Sequence, residues 1–192
     1  MTERKRYLVA TQQPWGMRVY DLVSRDDRVS LWVARQADPS EPDRYPLLQL
    51  CEETDPRYVF FVHWSTRVPP EVYDHWECVN FHCTELPYGR GGHPIENLLL
   101  RGHAETVMTA HRVVEELDAG PIYARQYRVP LDGRTKAEIL DGFVGPVAWL
   151  LARIVATEMP AYPQDDRGVV RFSRLSREAY DDFWCRRSEL VV

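Results

Sequence analysis

The chain has 192 residues, with 24 Lys+Arg against 29 Asp+Glu and a net charge of −5. That length suits one compact domain, or a core with a short tail. With 44% hydrophobic and 28% charged residues, composition excludes a wholly disordered chain. The acidic balance argues against an affinity built on neutralising nucleic-acid phosphates. No apolar run approaches the roughly 18 residues that span a bilayer. The basic start, Met1-Thr-Glu-Arg-Lys-Arg6, precedes an apolar stretch too short for a signal peptide. The expectation is a cytoplasmic protein with no membrane or nucleic-acid partner.

In chain order, residues 6–11 read as a strand, 14–24 as a helix and 29–34 as a second strand. A polar loop over 38–46 leads into a short helix ending near Glu53. Residues 58–64 form a continuous apolar run, as expected of a strand covered on both faces. A short helix over about 70–73 leads to a strand at 78–83. Repeated strand, helix, strand predicts an α/β fold with a mostly parallel twisted sheet flanked by helices. A glycine-rich loop follows at 86–94, then a helix at 95–100 and strands at 106–113 and 122–129. Thr135-x-x-Glu138 is a capping box opening a long apolar helix through Ile154, which Gly145-Pro146 should kink or split. Residues 1–158 read as one domain and 159–192 as a C-terminal extension. In that extension 164–168 reads as a turn, and 171–184 is a basic, aromatic tail with no clear element.

Cys51, Cys78, Cys83 and Cys185 form no C-x-x-C pair, and buried free thiols are expected of them. The first strand ends Ala10-Thr-Gln-Gln-Pro-Trp-Gly16, which lacks the glycines needed to close backbone N–H groups on a pyrophosphate. Nicotinamide, flavin and P-loop nucleotide chemistry are therefore not expected.

Side chains alternate along a strand, so Asn80 and His82 share one face of 78–83, while Val79, Phe81 and Cys83 share the other. They stand near the C-terminal end of a buried strand, where open α/β sheets place their ligands. A satisfied core histidine and a turn-forming asparagine are the bland alternative. The downstream segments shift the balance. These are Leu86-Pro-Tyr-Gly-Arg90-Gly-Gly-His-Pro94, Thr109-Ala-His111 and Asp118-Ala-Gly120-Pro-Ile122. Their order, with 36 residues from His82 to Asp118, resembles the N10-formyltetrahydrofolate-dependent formyltransferases. The likeness is strongest over about residues 58 to 129.

The resemblance implies a Rossmann-like formyltransferase fold and 10-formyltetrahydrofolate as co-substrate, with no metal. It implies catalytic roles for Asn80, His82 and Asp118. His82, if protonated, and the Asn80 amide would donate to the oxyanion of a tetrahedral intermediate. Asp118 would keep His82 charged and relay the amine's proton. His111 lies in a family-like position and is as readily structural as functional. By the same resemblance Trp64, Ser65, Thr66 and the backbone at Leu117 would frame the pterin. Trp64 is equally readable as a core aromatic. Arg90 either contacts cofactor or substrate or braces its own loop. Gly92 stands at a loop position where some relatives carry a larger residue. A Cys83–His82 pair would require a broken strand.

Departures from the family narrow the expected acceptor. The acidic chain, and only about 30 residues after the long helix, argue against transfer RNA. The turn after the first strand lacks the phosphate-binding pattern of glycinamide-ribonucleotide enzymes. No length is available for the regulatory domain of formyltetrahydrofolate hydrolases. The wording of Phe61-Val-His-Trp-Ser65 and of residues 81–92 is similar to the short amino-sugar N-formyltransferases of glycan biosynthesis. The leading expectation is therefore N-formylation of an amino sugar, nucleotide-linked. Hydroxyornithine or a similar amine is the alternative, and a non-catalytic folate- or sugar-binding relative the contrasting class. The tail's Phe172, Arg174, Tyr180, Trp184, Arg186 and Arg187 serve either to cover a sugar nucleotide or to form a homodimer contact.

Overall fold

A computed structural model describes residues 6–33, 44–165 and 167–189. The basic start at 1–5, the end of the second predicted strand at 34 and most of the polar loop, 38–43, lie outside the described residues. The first half alternates β1 (Tyr7–Thr11), α1 (Pro14–Val23), β2 (Val29–Val33), α2 (Arg44–Thr54), β3 (Tyr58–Val62), α3 (Pro70–Tyr73) and β4 (Cys78–His82). The second half runs β5 (Tyr88–Gly91), α4 (Pro94–Leu100), β6 (Glu105–Arg112), β7 (Ile122–Pro130), α5 (Lys136–Thr157), β8 (Val170–Phe172) and α6 (Arg177–Glu189).

Among the described residues, six strands form one sheet in the order β2-β1-β3-β4-β6-β7. The first four pair in parallel, and β6 and β7 are added antiparallel. Every residue of β1 and β3 is buried, because helices cover both faces. Alternation divides them between two cores. Tyr7, Val9, Tyr58, Phe60 and Val62 pack with α1, α4 and α5, whereas Leu8, Ala10, Val59 and Phe61 pack with α2 and α3. The apolar run expected through Trp64 ends at Val62, since His63 takes a φ of 50° and turns the chain away.

The glycine-rich segment predicted as a loop contains β5, which pairs in parallel with β8 in a two-stranded sheet. Neither strand is apolar or long enough to signal itself locally; each exists because the other lies beside it. Gly89 has a φ of 77°, and a Cβ there would stand 2.8 Å from the Phe172 ring. The tail thus has an element order of its own, β8 then α6. Tyr162 also forms a backbone bridge to Ile122 at the start of β7.

The capping box of α5 is complete, with Glu138 N donating to Thr135 Oγ1 at 3.2 Å and Thr135 N to Glu138 Oε2 at 3.4 Å. The helix is not split at Pro146 but runs unbroken through 22 residues. Buried Phe143, Val147, Leu150 and Leu151 anchor the helix on either side. Against the expectation that no apolar run is long enough, α5 could cross a membrane by length and composition. Half of its most apolar window is buried inside the fold, as in a core helix.

Cys51, Cys78 and Cys83 are buried free thiols, whereas Cys185 is an exposed one on α6. Burial pushes the Cys83 thiol up to about 12.

Candidate active site

The C-terminal end of β4 carries Asn80 and His82 on one face, and register supplies their neighbours. Antiparallel pairing with β6 sets Asn80 opposite His111 and His82 opposite Thr109. Asn80 Nδ2 consequently lies 3.5 Å from His111 Nε2. The β6–β7 connection folds back over these strands and brings in Asp118, whose φ is 57°. Its tightness depends on Gly120, where a Cβ would meet the Arg112 carbonyl oxygen at 1.9 Å.

Asp118 is 5% exposed and stands between two imidazoles. Its Oδ2 is 3.7 Å from His82 Nδ1 and its Oδ1 3.6 Å from His111 Nε2. Gly91 N donates to Oδ2 at 3.0 Å. Burial alone would raise this carboxyl, but the two histidines and the Gly91 N–H outweigh it and hold Asp118 well below the usual carboxylate range.

The two nitrogens of His82 have different work. Nε2 lies 2.8 Å from the Gly89 carbonyl oxygen, so it carries a proton and donates it. Nδ1 faces Asp118 across a gap too long for a hydrogen bond. The ring plane is therefore fixed from one side, and Nδ1 is the nitrogen available to a reacting group. His111 donates from Nδ1 to the Arg112 carbonyl at 3.0 Å, which turns its Nε2 toward Asp118 and Asn80.

The remaining predicted positions make the following contacts, of which those of Arg90, Gly92 and Leu117 adjoin Asp118 or the Gly91 N–H that holds it. Ser65 N and Oγ donate to Gln12 Oε1 at 3.0 and 2.9 Å, and Gln12 Nε2 donates to Thr66 Oγ1 at 3.1 Å. Gln12, at the end of β1, thus ties the 65–66 turn to the sheet, a role with no sequence signal. Trp64 packs edge-on against Phe61 at 5.1 Å, on the α2–α3 side. Leu117 is 54% exposed beside the buried Asp118. Arg90 is buried and braces its surroundings, bonding to Gln164 Oε1 at 3.1 and 2.8 Å and to Glu116 at 3.4 Å. Gly92 is covered by the tail, since a Cβ there would stand 2.2 Å from Arg174 Cγ. Cys83 packs in the α1–α4–α5 core, on the strand face opposite His82. Among the described residues, no group of three His, Cys, Asp or Glu is arranged to hold a metal ion.

His63 borders the same strand ends. Trp15 Nε1 donates to its Nδ1, which therefore carries no proton. Burial first, then the Lys136 ammonium, pushes the imidazole down to about 4. A folded-state pKa below the unfolded value near 6.5 means that His63 contributes stability in full above that pH. The contribution is lost as pH falls toward 4. His63→Asn, which tolerates the left-handed backbone, should lose less stability than the parent chain between pH 6.5 and 4.5. The difference expected is about 1.4 kcal/mol per unit of displacement. Urea unfolding at the two pH values measures it, and parallel losses would refute a buried neutral His63.

A family model for formyl transferases matches residues 8–142. The chain is 32% identical over 124 residues to a methionyl-tRNA formyltransferase of Rhizobium meliloti (strain 1021), covering 61% of this chain and 40% of that relative. It spans between about a third and a half of the length of the curated relatives it matches. Among solved structures, a methionyl-tRNA formyltransferase from Clostridium thermocellum superposes with a TM-score of 0.76 at 22% identity, covering 91% of this chain and 74% of that one. An N-formyltransferase from Helicobacter canadensis, in complex with folinic acid and dTDP-3-aminofucose, superposes with a TM-score of 0.61 at 15% identity, covering 89% and 71%. These structures share the α/β fold described above, and the family match extends from β1 into α5, across Asn80, His82, His111 and Asp118. The chain belongs to the formyl transferase family.

Proposed function

We propose that this chain transfers the formyl group of 10-formyltetrahydrofolate to the primary amine of a small metabolite, a nucleotide-linked amino sugar. The observation that carries the chemistry is the buried Asp118 carboxylate between His82 and His111, with Asn80 on the same strand face as His82. The amine nitrogen attacks the formyl carbon, forming a C–N bond while the carbonyl electron pair moves onto oxygen. His82, when protonated so that Nδ1 carries a proton besides the one on Nε2, and the Asn80 amide donate to that oxygen; one such donor is typically worth about 10² to 10³ in rate. Collapse returns the electron pair and breaks the bond from the formyl carbon to N10. The proton leaving the amine passes by way of Asp118 to N10, giving tetrahydrofolate and the formamide. Exposed Leu117 and the turn at Trp64, Ser65 and Thr66 offer an apolar surface and polar edges suited to a pterin.

A small acceptor is supported by the charge of −5 and by how cations near the site are engaged. Arg90 and Arg171 share the Glu116 carboxylate and Lys136 pairs with Glu96, so these cations are engaged with carboxylates rather than arrayed as a track for a polynucleotide backbone. The nucleotide-linked amino sugar held by the Helicobacter relative belongs to the same acceptor class. Transfer to methionyl-tRNA is the second reading, favoured by the curated relative at 32% identity. The test is tetrahydrofolate release from 10-formyltetrahydrofolate with nucleotide-linked and free amino sugars, hydroxyornithine and methionyl-tRNA. Release that depends on an amino sugar is expected. Release with methionyl-tRNA alone would overturn the acceptor, and release with none would overturn the transfer.

A further inference from the structure

The segment after α5 reaches back to Asp118 through a side chain that the transfer chemistry does not use. Gln164 lies 46 residues beyond Asp118, and its Nε2 donates to the carbonyl oxygens of Asp118 at 2.8 Å and Gly120 at 2.7 Å. Its Oε1 accepts from Arg90 Nε at 3.1 Å and Nη2 at 2.8 Å. A carboxamide offers two N–H donors and two acceptor lone pairs, and here all four are used.

Arg90 is buried on β5 beside Gly91, whose N–H donates to the Asp118 carboxylate at 3.0 Å. Two struts therefore join the same two segments. One runs from the Gly91 N–H to the carboxylate, and the other from Arg90 through Gln164 to the backbone of the 118–120 turn. The second restrains what the first leaves free. A bond to the carboxylate alone permits the turn to rotate beneath it, whereas a grip on the two carbonyls sets the peptide planes and the direction of the side chain. That restraint matters at Asp118, whose φ of 57° is not held by the residue's own preference. The histidine nitrogens stand 3.7 and 3.6 Å from the carboxylate, so a small displacement would separate them from it.

We propose that Gln164 is a positioning residue for Asp118, locking the 118–120 turn to β5 through Arg90 and so setting the carboxylate's distance to His82 and His111. The inference rests on the reading of Asp118 as the group that serves His82, yet the geometry can be measured without turnover. Glutamate would not substitute. It would keep the Arg90 contacts but set carboxylate oxygens against two carbonyl oxygens with no proton between them. The charged and titratable groups around the turn are Arg90, Glu116 and Arg171 on its outer side, with His82 and His111 within.

The experiment uses the full chain with Gln164→Glu and Gln164→Met, of similar length to the original side chain, and follows the Asp118 carboxyl by 13C NMR as pH is lowered. In the unmodified chain the carboxyl should titrate below its ordinary value of 3.8, because burial is outweighed by His82, His111 and the Gly91 N–H. Folded Gln164→Met, which adds no charge, should bring the Asp118 titration up by at least about one pH unit as those partners withdraw, and Gln164→Glu should add the repulsion of its own carboxylate to that rise. With the amine accepted by the parent chain, kcat should fall about 10- to 100-fold while KM changes less than about threefold. An unmoved Asp118 titration in a folded variant overturns the positioning role, whatever the rate does. A moved titration in a chain that transfers no formyl group supports that role and removes the transferase reading.

Discussion

Asp118→Asn should lower the rate of formyl transfer by about 10² to 10⁴-fold while leaving the chain folded. The amide can still accept from Gly91 N, so the turn keeps its link to β5. What it loses is the charge facing His82 Nδ1 and His111 Nε2, and the basic oxygen able to take a proton from the amine. The pH dependence has a definite sign. Asp118 is held below its ordinary value of 3.8, so its stabilising contribution is complete above that pH and is lost as pH falls through the folded value. The carboxylate should therefore remain charged at every pH near neutrality where activity is assayed. Tetrahydrofolate release under saturating amine measures the effect. Turnover equal to that of the parent chain would take the carboxylate out of the chemistry.

The largest expected effect on stability lies where the tail meets the core. Glu96, on α4, is fully buried, and its Oε1 accepts from Lys136 Nζ at 3.1 Å and Trp184 Nε1 at 3.0 Å. Lys136, in the first turn of α5, also reaches Tyr180 Oη at 3.2 Å, so α4, α5 and α6 meet at one charge pair. Lys136→Met keeps much of the length but leaves a buried carboxylate without its cation. Breaking such a pair typically costs about 3–5 kcal/mol, and the lower end applies because Lys136 is 32% exposed. For a domain of this size that corresponds to a fall of roughly 6–12 °C in Tm. Adding Glu96→Gln to Lys136→Met removes the stranded charge and should recover most of the loss. Thermal unfolding of both single variants and the double variant gives the coupling. Additive losses would show that the pair does not hold the tail.

Much of this architecture was legible from local pattern. The apolar runs of β1 and β3 identified strands buried on both faces, and the two-residue period placed Asn80 and His82 together. Thr135 and Glu138 announced the start of α5. The motifs carrying the family resemblance lie within the region that the family model matches. Other features had no local signal. β5 and β8 are each too short to be recognised alone, and their pairing joins residues 82 positions apart at Tyr88 and Val170. Gly145-Pro146 read as kinking or splitting α5; the helix is not split there, and Phe143 and Val147 are buried on either side of the proline.

By itself the sequence determined the α/β class, the strand that bears Asn80 and His82, and the membership of Asp118 in the same constellation. The first two follow from periodicities only a few residues long, and the third from the family resemblance that motifs in linear order carry. Only the tertiary structure decided that Gly89 engages Nε2 of His82 and leaves Nδ1 free, that His111 stands opposite Asn80, and that Arg90 is turned to Gln164. Each depends on strand register or on closing a long loop. A one-residue slip would change every such contact while scarcely altering the local pattern, so these assignments reside in the packed fold.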